Sequence, residues 1–307
     1  MAFALKELSV YILCHNRADD AREAIRSVRA QTDDAFTLTV SDNSSNDDVQ
    51  RMMRTDFPDV LYVRRTPMLP ALAHFNCCID EVKDGYFCLF HDDDLMGPNF
   101  VAEVRACLQT FPNTVALGCN ARIQSFGQLQ KKLSFLSNRR VETIASPRDL
   151  AARYFSRAQS GIAPFPSYVY DKQLVGTLKF PLDGGKYSDV TWLLNLTMKG
   201  AIRWINKPLM TYRIHANNDG ATESRKDRLR FLAFIKKHKA LLGSAILDDY
   251  RCSFIYKTIL KSCDLSNPKR RDLANAYVQH YRWARYARLD TYQALFKRAL
   301  AKTLTKS

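Results

Sequence analysis

The chain has 307 residues, 46% of them hydrophobic and 25% charged, with a formal net charge of +15; that length and apolar content suit one large α/β domain, or one domain with an appendage. No run approaches the roughly 18 apolar residues of a membrane-spanning helix, and the apolar stretch 8–14 follows Lys6 and Glu7 without a small-x-small cleavage site, so it reads as a first strand, not a signal peptide. The eight cysteines form no C-x-x-C pair and mostly sit in apolar runs, which fits small buried hydrophobes in a reducing cytosol.

"LSVYILC" (8–14) reads as a buried strand, and Ala21, Ala24, Ile25 and Val28 then repeat at the spacing of one helix face. "FTLTV" (36–40) is β-rich and runs into the polar turn "SDNSSNDD". "VLYVRR" (60–65) is a short strand. After Pro67, Leu72, Phe75, Ile79 and Val82 share a helical face. "YFCLF" (86–90) is a strand that stops at three aspartates. Pro98 opens a helix with Val101, Val104 and Leu108 inward, and "TVALGCNARI" (114–123) is a strand again. This alternation predicts a mainly parallel sheet flanked by helices. Ligands of such sheets bind beyond the strands' carboxyl ends, where both acidic clusters, Asp42–Asp48 and Asp92–Asp94, fall.

Beyond residue 124 the pattern loosens, and "QSFGQLQKKLSFLSNRR" is polar and basic with no clear period. Ser146-Pro147 predicts a capped helix start, running through Phe155. "SGIAPFPSYVY" (160–170) reads as a loop entering a strand. "DGGKYSD" is a turn before a helix with Val190, Leu193, Leu194 and Thr197 on one face. "AIRWINKPLMTYRIH" (201–215) suggests two β-rich pieces around Pro208, 216–224 a flexible loop, and 225–305 helix throughout.

Three adjacent carboxylates repel one another and raise each other's pKa values. A hard divalent cation such as Mg2+ or Mn2+, bound by one or two carboxylates together with substrate phosphates, would remove that conflict. The alternative is a solvated capping turn.

Taken in order, "LSVYILCHNR", "AIRSVRAQT", "LTVSDNSSND", "ALAHFNCCID", "YFCLFHDDDLMGP" and "YSDVTWLLNLTMKGAIRWINKPLMTYRIH" resemble the motifs of family 2 glycosyltransferases of the GT-A fold, over roughly residues 8–219. The resemblance implies a Rossmann-like, mainly parallel sheet flanked by helices and a nucleotide-sugar donor, most simply a UDP-sugar. It places Cys14 and His15 beside the nucleobase, Arg17 at the nucleotide pocket and Asp42 on the uracil or ribose. Asn76 matches the family's helix asparagine. Counting back from Pro98, Asp93 takes the metal position, with Asp92 near the ribose and Asp94 bracing the turn or the donor sugar. His91 replaces the usual leading aspartate, and the resemblance leaves it a ribose contact rather than a metal ligand. His215, in "TYRIH", is the second candidate metal ligand. Asp189, where the family has Glu-Asp and this chain Ser188-Asp189, is the expected general base of an inverting transfer.

The walls of the acceptor side are expected from 124–145 and 160–170, with Tyr168 and Trp192 either stacking on sugars or packing. Residues 221–307 hold 20 Lys and Arg against 7 Asp and Glu, a net of +13, leaving +2 for 1–220. The chain thus divides into a catalytic domain (1–220) and a basic helical region (221–307). Aromatics and arginines interleave around Leu273, Tyr277, Tyr281 and Arg288, which suits either a packed appendage or contact of 225–305 with anionic membrane. No motif supports nucleic acid. The expected partners are a UDP-sugar and a glycan or lipid-linked glycan acceptor, and the expected location is cytoplasmic, with the second reading of the tail placing it on the inner face of the membrane. A sugar nucleotidyltransferase would need a G-x-G-T-R loop where "CHNRADD" stands, and an inactive basic binding module would not need Asp93 and Asp189.

Overall fold

The computed structural model describes residues 7–155, 161–182, 185–215 and 224–251. In chain order it runs β1 (Leu8–Cys14), α1 (Ala18–Arg29), β2 (Thr37–Asp42), α2 (Asp48–Asp56), β3 (Leu61–Arg64), α3 (Ala71–Glu81), β4 (Tyr86–His91), β5 (Leu95–Met96), α4 (Phe100–Thr110), β6 (Thr114–Ser125), β7 (Gln128–Leu133), β8 (Val141–Ile144), α5 (Pro147–Phe155), β9 (Val169–Asp171), α6 (Lys172–Val175), α7 (Ser188–Leu196), β10 (Ala201–Ile214), α8 (Arg225–Lys237) and α9 (Lys239–Leu242).

The strands join in one sheet ordered β3-β2-β1-β4-β9-β6-β10-β5, with β7 beside β6 and β8 beside β10. Strands β1 to β4 are mutually parallel, β6 and β10 are parallel to each other, and β9 runs antiparallel between the two groups. The principal strands therefore all end on one edge. Helices cover both faces, which is why β1 and β4 are buried almost throughout. Alternate strand residues feed two cores: Tyr11, Leu13, Phe87 and Leu89 pack with α3, α5 and α7, while Val10, Ile12, Cys88 and Phe90 pack with α1, α2 and α4.

Local signals act as read. Ala21, Ala24, Ile25 and Val28 are fully buried on α1. Ser146 Oγ accepts from the Asp149 N–H at 3.2 Å, capping α5. Two expectations change. The polar stretch after residue 124 holds β7, which folds back on β6 as a hairpin. Residues 201–214 form one strand, because register shifts on either side of Pro208 absorb the missing N–H without ending the pairing. The six cysteines in the described residues are free, and no described helix is long and apolar enough to cross a membrane.

The start of the basic region belongs to the core. Phe231, Ile235, Leu242, Ile246, Leu247 and Tyr250 are buried in the same cluster as α5 and α7. Phe231 stacks on Tyr187 at 4.7 Å and meets Tyr250 edge-on at 5.0 Å. Residues 216–223, most of the loop expected over 216–224, and the aromatic-arginine stretch beyond 251 lie outside the described residues.

Candidate active site

Register brings the chemistry together. Cys14 pairs with Asp42 and Leu13 with His91, so the β1, β2 and β4 ends sit side by side. The end of β10 returns to the same edge beside β5, with Thr211 opposite Leu95. Gln31, just past α1, fixes the turn after the aspartates: its Nε2 donates to Gly97 O at 2.9 Å and its Oε1 accepts from Val101 N at 3.0 Å.

The three aspartates are all buried, yet each has different company. Asp92 accepts from His15 N at 2.9 Å and pairs with Arg17 at 2.5 Å. Burial nonetheless lifts its pKa to about 6. Asp93 Oδ2 accepts from Arg17 Nη1 at 2.9 Å and lies 3.1 Å from His215 Nε2. Burial would raise Asp93, but His91, Arg17 and His215 outweigh it and hold the carboxyl below its usual value. Asp94 Oδ1 accepts from Arg213 N at 2.9 Å, while its Oδ2 is buried and accepts no hydrogen bond. Burial, then the charge of Asp93, push Asp94 well above the usual carboxylate range.

Potential ligand atoms of His91, Asp93 and Asp94 lie within 4.8 Å of one another. The imidazole of His91, expected as a ribose contact, sits with these carboxylates, flanked by Phe75 and Phe165 at 6.1 and 5.8 Å between ring centres. A buried, unsatisfied carboxylate oxygen is costly unless something binds it. With one nitrogen and two carboxylate donors converging on it, the site fits a divalent cation such as Mn2+.

Asp189 stands in the first turn of α7, partly exposed, with Oδ1 accepting from its neighbour Val190 N at 2.8 Å. Burial lifts it to about 6. Burial raises the Tyr212 phenol on β10 to about 12, and the charges of Asp94, Asp93 and Asp189 add to the rise.

The remaining expected contacts are scaffolded by the protein. Cys14 is fully buried, and its carbonyl accepts from Asn43 N at 2.9 Å. His15 is exposed and holds Asn43 O at 2.9 Å through Nδ1. Asp42 is fully buried, accepting from Tyr62 OH at 2.6 Å, Arg64 Nη1 at 2.7 Å and Ser44 N at 2.9 Å. Asn76 uses both ends of its amide on the Phe180 backbone at 2.9 Å, so it clamps the segment before α7. Tyr168 and Trp192 pack. Tyr168 OH accepts from Trp204 Nε1 at 2.7 Å, Trp192 stacks on Phe180 at 4.4 Å, and both are fully buried.

The sequence reading assigned no role to Arg213. It donates through N to Asp94 and through Nε to Asp93 O, and pairs with Glu23 and Asp20. Its place one residue after Tyr212 and two before His215 was the available signal.

The family model for glycosyl transferase family 2 matches residues 9–161. The structure of S. aureus TarS residues 1–349 in complex with UDP-GlcNAc is similar with a TM-score of 0.55 at 13% identity, over 92% of this chain and 93% of that one. Against the longer TarS structure the TM-score is 0.54, and this chain spans 55% of that protein's length. The mannosyltransferase PcManGT from Pyrobaculum calidifontis, in complex with GDP-Man and Mn2+, is similar with a TM-score of 0.53 at 15% identity, over 100% of this chain and 89% of that one. No curated protein sequence matches significantly. At these identities the structures establish a shared GT-A fold.

Proposed function

This chain belongs to glycosyl transferase family 2, and from that premise we propose that it is an inverting, metal-dependent enzyme moving a sugar from a nucleotide-sugar to a hydroxyl of a surface-polysaccharide or lipid-linked glycan. The observation that carries the proposal is the convergence of His91, Asp93 and Asp94 beside the buried, unsatisfied Asp94 Oδ2. UDP-sugars are the first donors to test and GDP-sugars the second, since similar folds have been captured with UDP-GlcNAc and with GDP-Man and Mn2+.

In this reading Asp93, Asp94 and His91 hold the cation, with His215 reaching in through Asp93. The bound cation would supply charge stabilisation for the departing diphosphate. Arg17 spans Asp92 and Asp93 and keeps both carboxylates aimed at the β4 end. Arg213 fixes the turn from the other side. Cys14, His15 and Asp42 form the edge against which the nucleoside rests. Asp189 removes the acceptor's proton as the acceptor oxygen bonds to the anomeric carbon and the nucleoside diphosphate leaves from the opposite face. A carboxylate with a pKa near 6 is ionised at neutral pH yet basic enough for this step.

Residues 1–220 carry the donor and catalytic groups and 221–307 form the basic region, whose first part is built into the catalytic core. The cytoplasm, where unpaired thiols persist, is the compartment this reading assigns. A thermal-shift screen of nucleotide sugars with and without Mn2+ tests it: metal-dependent stabilisation by one donor is expected, and no response to any donor under either condition would overturn it.

A further inference from the structure

The hairpin of β6 and β7 turns at the sheet edge that carries the site. Ser125 pairs with Gln128, leaving Phe126 and Gly127 as a two-residue turn. Both have positive φ, 47° and 79°. Such turns select Asn, Asp or Gly at their first position, because a β-carbon clashes there. Here that position holds a phenylalanine that is 73% exposed, with Leu129 just beyond the turn at 63%. The residue is thus strained in its backbone and exposed in its side chain, a double cost that folding alone does not explain.

The surroundings indicate the partner. Residues 122–140 contain Arg122, Lys131, Lys132, Arg139 and Arg140 and no Asp or Glu. Arg122, Lys131 and Lys132 are exposed. Direct pairing puts Gln124 opposite Leu129 and Arg122 opposite Leu133, and the register shift between the two pairs leaves Lys131 and Lys132 in the irregular part of β7 just behind the tip. An apolar tip ringed by cations without a carboxylate matches an anionic bilayer surface, whose headgroups attract lysine and whose interior accepts the aromatic ring. The tip is also tied to the site: Phe126 N donates to Ile214 O at 2.8 Å, and His215 is the next residue.

We propose that the β6–β7 hairpin is a membrane-interface finger, with Phe126 and Leu129 entering the headgroup–acyl boundary of an anionic bilayer and Lys131, Lys132 and Arg122 holding lipid phosphates. It brings the sheet edge to the surface on which a lipid-linked acceptor would be presented. The finger goes beyond the reading of the metal and donor and does not depend on it.

The full chain is tested on vesicles of phosphatidylcholine with and without phosphatidylglycerol. Phe126→Asn relieves the turn, so its melting temperature rises above wild type while affinity for anionic vesicles falls about tenfold, as expected for losing one buried aromatic ring. Phe126→Trp provides a local probe that the basic tail cannot mimic. Its emission is quenched by brominated anionic vesicles beyond the wild-type background and is unaffected by phosphatidylcholine alone. Lack of added quenching overturns the proposal. So does unchanged vesicle affinity in Phe126→Asn, whether that variant instead loses self-association, pointing to a second copy, or raises the acceptor KM, pointing to sugar stacking. Donor-induced thermal shifts stay as in wild type in both variants, so failure of the finger and failure of the glycosyltransferase reading are separable.

Discussion

Asp93 and Asp189 have opposite electrostatic settings, and the two predict opposite experimental signatures. Asp93 is held ionised by His91, Arg17 and His215, so Asp93→Ala removes the group best prepared to meet a cation. Calorimetry should then find no Mn2+-dependent UDP binding, and unchanged affinity would remove Asp93 as a ligand. His91→Asp restores an all-oxygen set, which suits Mg2+ better than an imidazole does. The ratio of Mn2+ to Mg2+ affinity should fall, and an unchanged ratio would place His91 outside the coordination sphere. For Asp189, burial raises the folded-state value to about 6. Its contribution to stability is therefore fully present below the unfolded carboxylate value near ~4, and is lost as pH rises through about 6. Asp189→Asn should melt higher than wild type at pH 8, with no such gain at pH 4, while transfer drops by about 100-fold or more. Wild-type kcat should also decline as pH falls below about 6. Near-wild-type turnover in the variant would mean another group takes the proton.

Elements were legible in the sequence wherever one physical rule dominated. The fully buried face of α1 and the abrupt end of β4 at the aspartates follow from helical spacing and from a parallel strand buried on both sides. That Asp42 and the aspartates after β4 share one sheet edge follows from the β-α-β alternation, whereas the placing of β2 and β4 on either side of β1 does not. The β7 strand was not legible, because Gln128–Leu133 is almost wholly exposed and has no apolar face to alternate. Its turn is unreadable too, since Phe126 stands where turn chemistry calls for asparagine or glycine. The grouping of His91 with Asp93 and Asp94 was not legible for a different reason: spacing gives a residue's strand but not which neighbours' ligand atoms it meets. Helix α8 was legible as helix but not as core, since its basic residues mask Phe231 and Ile235. Phe231 is 2% exposed among Tyr187, Phe155 and Tyr250. Phe231→Ala should cost about 3–5 kcal/mol in urea unfolding. A cost below about 1 kcal/mol would mean that α8 is only loosely docked.

At the scale of the molecule, the site is assembled from segments far apart in sequence. Arg17 from the start of the chain meets Asp92 and Asp93 from the middle, and His215 and Arg213 from β10 close the cluster. Unfolding anywhere in the sheet separates these groups, so a ligand that binds them stabilises the whole fold rather than one loop. Linkage gives the size of the effect: a ligand at 100 times its Kd adds about 2.7 kcal/mol, or roughly 5–10 °C in Tm for a domain of this size at ~2–4 °C per kcal/mol. In the proposed site Asp93 and Asp94 would hold the cation, and the cation would offset the repulsion between these carboxylates and the diphosphate, so each ligand should need the other. UDP with Mn2+ should raise Tm by several degrees, while UDP alone and Mn2+ alone should each give much less than half of that shift. In Asp93→Ala the combined addition should give no more than UDP alone. If UDP stabilises the wild type equally with and without metal, the carboxylate cluster is a structural turn and nucleotide binding rests on Arg17 and its neighbours.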